Sequence, residues 1–202
     1  MLPVICVLGS WSSGTTAVAG YIAKAGAWPC PPHFLINDDK SPESLESAAL
    51  RARCQDVFDE RTLIKVGSVR DFTAWLGPWL QEQSHIACDA GRTHIVIKHP
   101  LLSLLVRPVS ECCEAKWVMV TRPLEQIEAT RIRRKWPVIY GELGAKTLYP
   151  AAFSALVRLG QSHVTLSFPE FLSSPANRKA TLGWLGMAPD SSQHHAAESW
   201  LR

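Results

Sequence analysis

The sequence predicts an α/β protein with three layers, α/β/α, around a central, mainly parallel sheet. Three observations carry this. Short apolar runs suited to strands alternate with longer stretches of helical spacing, the order that βα units impose. The runs Val4–Leu8 and Ile95–Ile97 are apolar without interruption, as strands buried on both faces must be. The first of these runs leads directly into Gly9-Ser10-Trp11-Ser12-Ser13-Gly14-Thr15-Thr16, a glycine and serine turn that opens a helix. With 202 residues, the chain is long enough for one domain with a full core, and 1–202 is read as a single domain.

The elements follow in order. Val4–Leu8 is the first strand. Thr15–Ala25 continues as a helix, with Ala17, Val18, Tyr21 and Ile22 near helical spacing and Gly26 as its stop. Pro29, Pro31 and Pro32 make 27–40 irregular. Ser41-Pro42 has the form of an N-cap followed by proline at the first helical position, which predicts a helix through about Phe58. Thr62–Gly67 is compatible with a strand or a connection. Ser68 and Asp71 form a capping-box variant ahead of a helix through Ser84. Thr93–Ile97 reads as a second strand, followed by Lys98-His99-Pro100 and a helix through Cys113 that Pro108 interrupts. Lys116–Thr121 is a third strand. Arg122-Pro123 opens a helix through about Lys135, Trp136–Thr147 reads as loop, and Tyr149–Leu159 as helix. His163–Phe168 is a fourth strand, Pro169–Leu185 is mostly helix, and the polar tail after Pro189 is expected to fray.

Composition narrows the function classes. Hydrophobic content of 47% and charged content of 19% are ordinary for a globular protein, and a net charge of +3 argues against a nucleic-acid binder. The six cysteines form no Cys-x-x-Cys pair and no zinc or disulfide pattern, which favours reduced thiols and a cytoplasmic location. Cys6, inside the first strand, reads as a small buried hydrophobe. No apolar run reaches transmembrane length, and Leu2–Leu8 lacks a basic leader and a cleavage site, so neither membrane nor signal peptide is expected.

The turn at 9–16 has the chemistry of an anion site. Successive N–H groups form a nest, the helix N-terminus adds its positive dipole end, and Thr15 and Thr16 can donate hydroxyl hydrogen bonds. Its spacing fits the P-loop frame, Gly-x-x-x-x-Gly-Lys-Ser/Thr, and so a P-loop NTPase-like fold. Thr15, however, stands where the lysine that reaches the terminal phosphates belongs. A second anion site follows the third strand. Arg122 offers a planar fork suited to a phosphate, and Thr130, eight positions on and about two helical turns in, offers a hydroxyl. The cluster Arg131, Arg133, Arg134 and Lys135 reads chiefly as cations complementing the dipole at the helix end. Stretches 9–16, 98–100 and 121–130 all follow strands, so a parallel sheet brings them to one edge.

These two signatures together resemble the sulfotransferases that use 3′-phosphoadenosine-5′-phosphosulfate. Ser13-Gly14-Thr15-Thr16 matches the family's loop for the 5′-phosphosulfate, and Arg122 with Thr130 is similar to the arginine and serine that hold the 3′-phosphate. Weaker similarities run through Ile97-Lys98-His99-Pro100, Ser167–Leu172, Trp184-Leu185-Gly186 and Ser41–Ser47. The chain departs from the family in having Ser12 where many members carry a basic residue, Phe168 for a tyrosine, and no C-terminal Arg-Lys-Gly element.

The resemblance implies a metal-independent transfer of a sulfuryl group to a hydroxyl or amine of a small-molecule or carbohydrate acceptor. Trp11, Ser12, Ser13, Gly14, Thr15, Thr16, Arg122 and Thr130 would bind the nucleotide. Lys98 is the candidate cation at the sulfuryl group, and His99 and Glu46 are the candidate bases. Trp28, His33, Phe34, Trp136 and Tyr140 are candidate walls for the acceptor. Two other readings stand beside this one: a P-loop small-molecule or nucleotide kinase, which would require magnesium, and a non-catalytic protein of the same fold that binds adenosine 3′,5′-bisphosphate.

Overall fold

The computed structural model describes residues 1–35 and 43–201. Five parallel strands form the central sheet: β1 (Val4–Leu8), β2 (Ala27–Trp28), β5 (His94–Lys98), β6 (Ala115–Thr121) and β7 (His163–Ser167), in the order β2-β5-β1-β6-β7. The remaining strands, β3 (His33–Leu35) and β4 (Glu43–Ser47), pair antiparallel as a separate ribbon. The helices are α1 (Thr15–Lys24), α2 (Ala48–Val57), α3 (Val69–Asp89), α4 (Val106–Cys112), α5 (Leu124–Arg134), α6 (Glu142–Arg158), α7 (Phe168–Ser173), α8 (Pro175–Leu185) and α9 (Ser191–Trp200).

Strand alternation divides the core in two. Val4, Cys6 and Leu8 of β1, with Ile95, Ile97, Trp117 and Met119, pack against residues of α2, α3, α4 and α6. Ile5 and Val7, with Val96, Val118 and Val120, pack against α1, α7, α8 and α9. This is the three-layer α/β/α arrangement that uninterrupted apolar strands predict. β1 lies between β5 and β6, where the strand order reverses, and the crevice at its carboxyl end is where open parallel sheets bind ligands.

Four expectations are corrected. Ser41 and Pro42 lie outside the described residues, and 43–47, expected as helix, is strand β4, with α2 beginning only at Ala48. The good helix formers Glu43, Leu45 and Glu46 suggest otherwise, but the Ser44 carbonyl and the Glu46 carboxylate both bind Lys98, and that tertiary contact decides the conformation. The proline-rich stretch contains β2 and β3 rather than only irregular chain. Trp136–Thr147 is not simply loop: a 3₁₀ turn spans Val138–Tyr140 and α6 begins at Glu142. The tail forms α9, opened by a capping box between Asp190 and Gln193. Ala197 is fully buried, Trp200 Nε1 donates to the Ala17 carbonyl at 3.1 Å, and Arg178 Nη2 meets Glu198 at 2.6 Å. Gly20 is required there, because a Cβ would overlap the Trp200 ring.

Candidate functional site

The turn after β1 is shaped by its own residues. Gly9 carries φ +154, and a Cβ on it would lie 2.7 Å from Thr15 Cγ2 and 2.8 Å from the Val120 carbonyl oxygen. Gly14, at φ +94, lies against the Phe168 ring, which a Cβ would overlap. Ser12 also adopts a left-handed conformation, at φ 61. Ser13 is fully buried, and its hydroxyl donates to the Ser10 carbonyl at 2.6 Å, so it braces the turn rather than facing a ligand. Ser10 Oγ is buried with no hydrogen-bond partner among the described residues.

A cavity of about 320 Å³ opens over this turn, lined by Trp11, Ser12, Gly14, Thr15 and Thr16 and by Glu46, Lys98, Arg122 and Thr130. The eight-residue spacing places Arg122 and Thr130 in contact. Arg122 Nη1 donates to Thr130 Oγ1 at 3.1 Å and to the Ser12 carbonyl at 3.0 Å, while its Nε reaches Gln126 Oε1 at 3.3 Å. The guanidinium lies 5.4 Å from the Phe168 ring centre, and burial pushes its pKa down from the usual arginine value. The pair Arg122 and Thr130 therefore touches the glycine turn. Arg133 and Arg134 also line the cavity, and Arg134 stacks over Trp136 at 4.4 Å. Among the described residues, four cationic side chains and one carboxylate line this space.

Lys98 leaves the end of β5 and points into the same crevice. Its ammonium donates to Thr16 Oγ1 at 3.1 Å, the Ser44 carbonyl at 3.1 Å and Glu46 Oε1 at 2.7 Å, which uses all three of its hydrogens. Thr16 Oγ1 also donates to the Ser44 carbonyl at 3.2 Å, so the β3–β4 ribbon is clamped to the start of α1. Glu46 is buried, with Arg51 Nη1 on its Oε2 at 3.1 Å. Burial alone would raise the Glu46 carboxyl, but Lys98, His99 and Arg51 outweigh it and hold the pKa below the ordinary carboxylate value.

His99 does not line the cavity, which corrects its reading as a candidate base facing an acceptor. It is fully buried; its Nδ1 accepts from the Leu101 N–H at 3.2 Å, so its Nε2–H donates to Glu60 Oε1 at 3.0 Å. The reason is strand alternation: Lys98 takes the cavity side, and its neighbour is turned inward. His99 instead backs Glu46, with Nε2 3.7 Å from Oε2.

Glu60 has no motif to announce it, yet it holds three groups together. Its carboxylate binds Arg51 Nη2 at 2.7 Å, His99 Nε2 at 3.0 Å and the Tyr140 hydroxyl at 3.2 Å. Burial and the Glu60 carboxylate push the Tyr140 pKa up to about 12. Tyr140 stacks on Trp11 at 4.5 Å and meets Trp136 edge-on at 5.9 Å, and its carbonyl accepts from Ser12 Oγ at 3.3 Å. These rings wall a second cavity of about 360 Å³, lined by Trp11, Phe34, Leu35, Glu46, Arg51, Trp136 and Tyr140. Of the five aromatic and histidine side chains expected as acceptor walls, Phe34, Trp136 and Tyr140 are here. Trp28 instead bonds Gln83 at 3.0 Å, and His33 bonds the Pro29 carbonyl at 2.9 Å.

Among the described residues, no group of three or more His, Cys, Asp or Glu is placed to hold a metal ion, and no helix is long and apolar enough to cross a membrane. No protein-family model matches the chain, and no curated protein matches it.

Proposed function

We propose that the protein is a sulfotransferase that uses 3′-phosphoadenosine-5′-phosphosulfate and passes the sulfuryl group to the hydroxyl or amine of an acceptor. One observation carries the reading: Arg122, paired with Thr130, lies against the Ser12 carbonyl, so two anion-binding elements share one cavity at the switch point of the sheet. A ligand with one anionic group fills the turn; a ligand with two uses both elements.

The residues present fit such a group. Backbone N–H groups of the turn and the Thr15 hydroxyl would hold the 5′-phosphate, with Arg122 on the 3′-phosphate; the Thr16 and Thr130 hydroxyls, which donate to the Ser44 and Gln126 carbonyls, would have to leave those partners to join them. The co-substrate would supply the chemistry: the bond from sulfur to the acceptor oxygen or nitrogen forms as the bond from sulfur to the phosphate oxygen breaks, and the electron pair leaves with the phosphate. Lys98, fixed beside Thr16, would neutralise charge developing there. Among the described residues Glu46 is the one carboxylate that lines both cavities, which makes it the residue to take the acceptor proton. Drawing Lys98 toward an anion would loosen its hold on Glu46 and raise the basicity of that carboxylate.

The kinase reading is disfavoured by the partners of Thr16. In a P-loop kinase the hydroxyl at this position binds magnesium; here it accepts from the Lys98 ammonium, a cation that the chain itself supplies.

The test is thermal unfolding with adenosine 3′,5′-bisphosphate, ATP and AMP, each near a hundred times the concentration of half-saturation for the best of them. A ligand at that excess stabilises by about 2.7 kcal/mol, which is several degrees for a chain of this size. Selective stabilisation by the bisphosphate, reduced about 10- to 100-fold in affinity by Arg122→Ala, supports the proposal. Equal responses to all three nucleotides refute it. Selective binding without turnover of the sulfated nucleotide with any acceptor would mark a non-catalytic binder.

A further inference from the structure

The two edges of the central sheet are built differently. We propose that the outer edge of β7 pairs antiparallel with β7 of a second copy of this chain, joining the two sheets across a twofold axis at Thr165.

The backbone makes the first part of the case. β2, at the opposite edge, is two residues long and is followed by Pro29, Pro31 and Pro32, which blunt it against further pairing. β7 runs for five residues in unbroken register with β6. It contains no proline, lysine, arginine or acidic residue, so it carries none of these protections. Thr121 Oγ1 donates to the Leu166 carbonyl at 3.2 Å, so Val164 and Leu166 turn their backbone groups toward β6. His163, Thr165 and Ser167 turn theirs outward, and among the described residues no strand pairs with that side. Thr165 is exposed. An antiparallel copy centred there sets Thr165 opposite Thr165, a favourable cross-strand pair, and His163 opposite Ser167.

Side chains select a second copy as the occupant. A groove of about 420 Å³ runs between β7 and α8, with Val164, Leu166, Phe171, Ala180 and Trp184 along it. Asn177, Ala180 and Trp184 recur at helical spacing, so one stripe of α8 lines the groove. Ala180 is exposed and small, which leaves room for a second α8 to approach. The two ends of the groove carry opposite charges. Glu170, beyond the carboxyl end of β7, is exposed and lines it. Lys116, at the amino end of the neighbouring β6, is exposed and holds its ammonium 5.5 Å from the centre of the Trp184 ring. Antiparallel pairing brings the carboxyl end of one β7 to the amino end of the other. Each Glu170 then meets Lys116 of the second copy, and the surface is complementary to itself, as a twofold interface requires. The cavity over the glycine turn lies at the carboxyl ends of the strands, so the two copies open theirs in opposite directions.

The experiment is sedimentation equilibrium of the full chain, with thermal unfolding to check that each variant is folded. The expected result is a reversible equilibrium between monomer and dimer. Thr165→Lys, which sets like charges opposite each other on the axis, should weaken the dimer about tenfold or more. Glu170→Lys and Lys116→Glu should each weaken it about three- to tenfold, because each opposes like charges in both halves of the interface. Mixing those two variants should restore association, since every charge in the mixed dimer then meets its opposite. A chain still monomeric at about 1 mM overturns the proposal, and leaves β7 to a strand from another protein. So does a dimer indifferent to Thr165→Lys, a mixture no more associated than its parts, or open-ended assembly beyond the dimer.

Discussion

Replacing Lys98 by methionine isolates the charge pair at the centre of the site. Lys98 Nζ and Glu46 Oε1 are 2.7 Å apart, with 4% and 6% of their side-chain surface exposed. At that distance and an effective dielectric of about 20, their gross attraction is about 6 kcal/mol. Most of this offsets desolvation, which costs several kcal/mol per ion, so the net value of the pair is small. Removing one partner is different, because it leaves the other buried and uncompensated, at about 3–5 kcal/mol. Arg51 remains on Glu46 at 3.1 Å in Lys98→Met, which places the expected loss near the low end, about 3 kcal/mol. The double variant Lys98→Met/Glu46→Gln removes both charges and should be less destabilised than Lys98→Met alone. Urea unfolding, read by tryptophan fluorescence, measures both from midpoint and slope. A loss under about 1 kcal/mol for Lys98→Met, or a double variant that loses the sum of the two single losses, would refute the reasoning.

Further predictions follow from the same geometry. Gly14→Ala should destabilise by about 2 kcal/mol or more, since a left-handed conformation costs a side chain about 1–2 kcal/mol and the Phe168 ring must also move; thermal unfolding with and without nucleotide would measure both this and the loss of binding. Glu46 and Glu60 both have pKa values held below the ordinary carboxylate value. For groups depressed in the folded state, the stabilisation is present above the unfolded pKa and is lost as pH falls through the folded one. Stability should therefore fall from about pH 5 downward, and Glu60→Gln should flatten that fall in a series of urea titrations at fixed pH. Tyr140→Phe, which keeps the ring on Trp11 but removes the hydroxyl from Glu60, should cost about 1 kcal/mol and leave bisphosphate affinity within twofold by calorimetry.

The parts of this site that were legible in the sequence are those that local spacing fixes. Glycines at 9 and 14 mark a turn whose backbone only glycine fits easily, and eight residues along a helix bring Thr130 back beneath Arg122. The sheet was legible for the same reason, since an apolar run without alternation has only one comfortable place. The β3–β4 ribbon was not, because residues 43–47 have the composition of a helix and are held as a strand by Lys98, some fifty positions away. Glu60 was invisible for a related reason: its partners Arg51, His99 and Tyr140 come from three separate segments, and nothing near it in sequence distinguishes it from a solvated glutamate. In sequence Arg133 and Arg134 are helix-end cations, a role fully compatible with lining the cavity, and only the fold shows that they also do so.

On the sulfuryl-transfer reading, the placement of Lys98 supplies the cation that the turn lacks. β1 and β5 are parallel neighbours, with Val7 beside Lys98 in register, so the ammonium starts one strand away and ends at the second residue of α1. A lysine in the turn itself would be a flexible side chain near solvent. On a central strand it is fixed, but burial penalises its charge and a carboxylate must hold it. Glu46 fills that need, and it can do so only because 43–47 is a strand that reaches the crevice. On the sulfuryl-transfer reading the same carboxylate then stands where the acceptor's proton must go. On that reading a cation on β5 brings the base with it, and the two roles depend on one ion pair. A variant that places a basic residue in the turn, Ser12→Lys, should then rescue bisphosphate binding in the Lys98→Met background without restoring turnover, because Glu46, held by Arg51 alone, would have lost the nearer of the two cations that fix it. Rescue of both together would separate the cation from the base and end that argument.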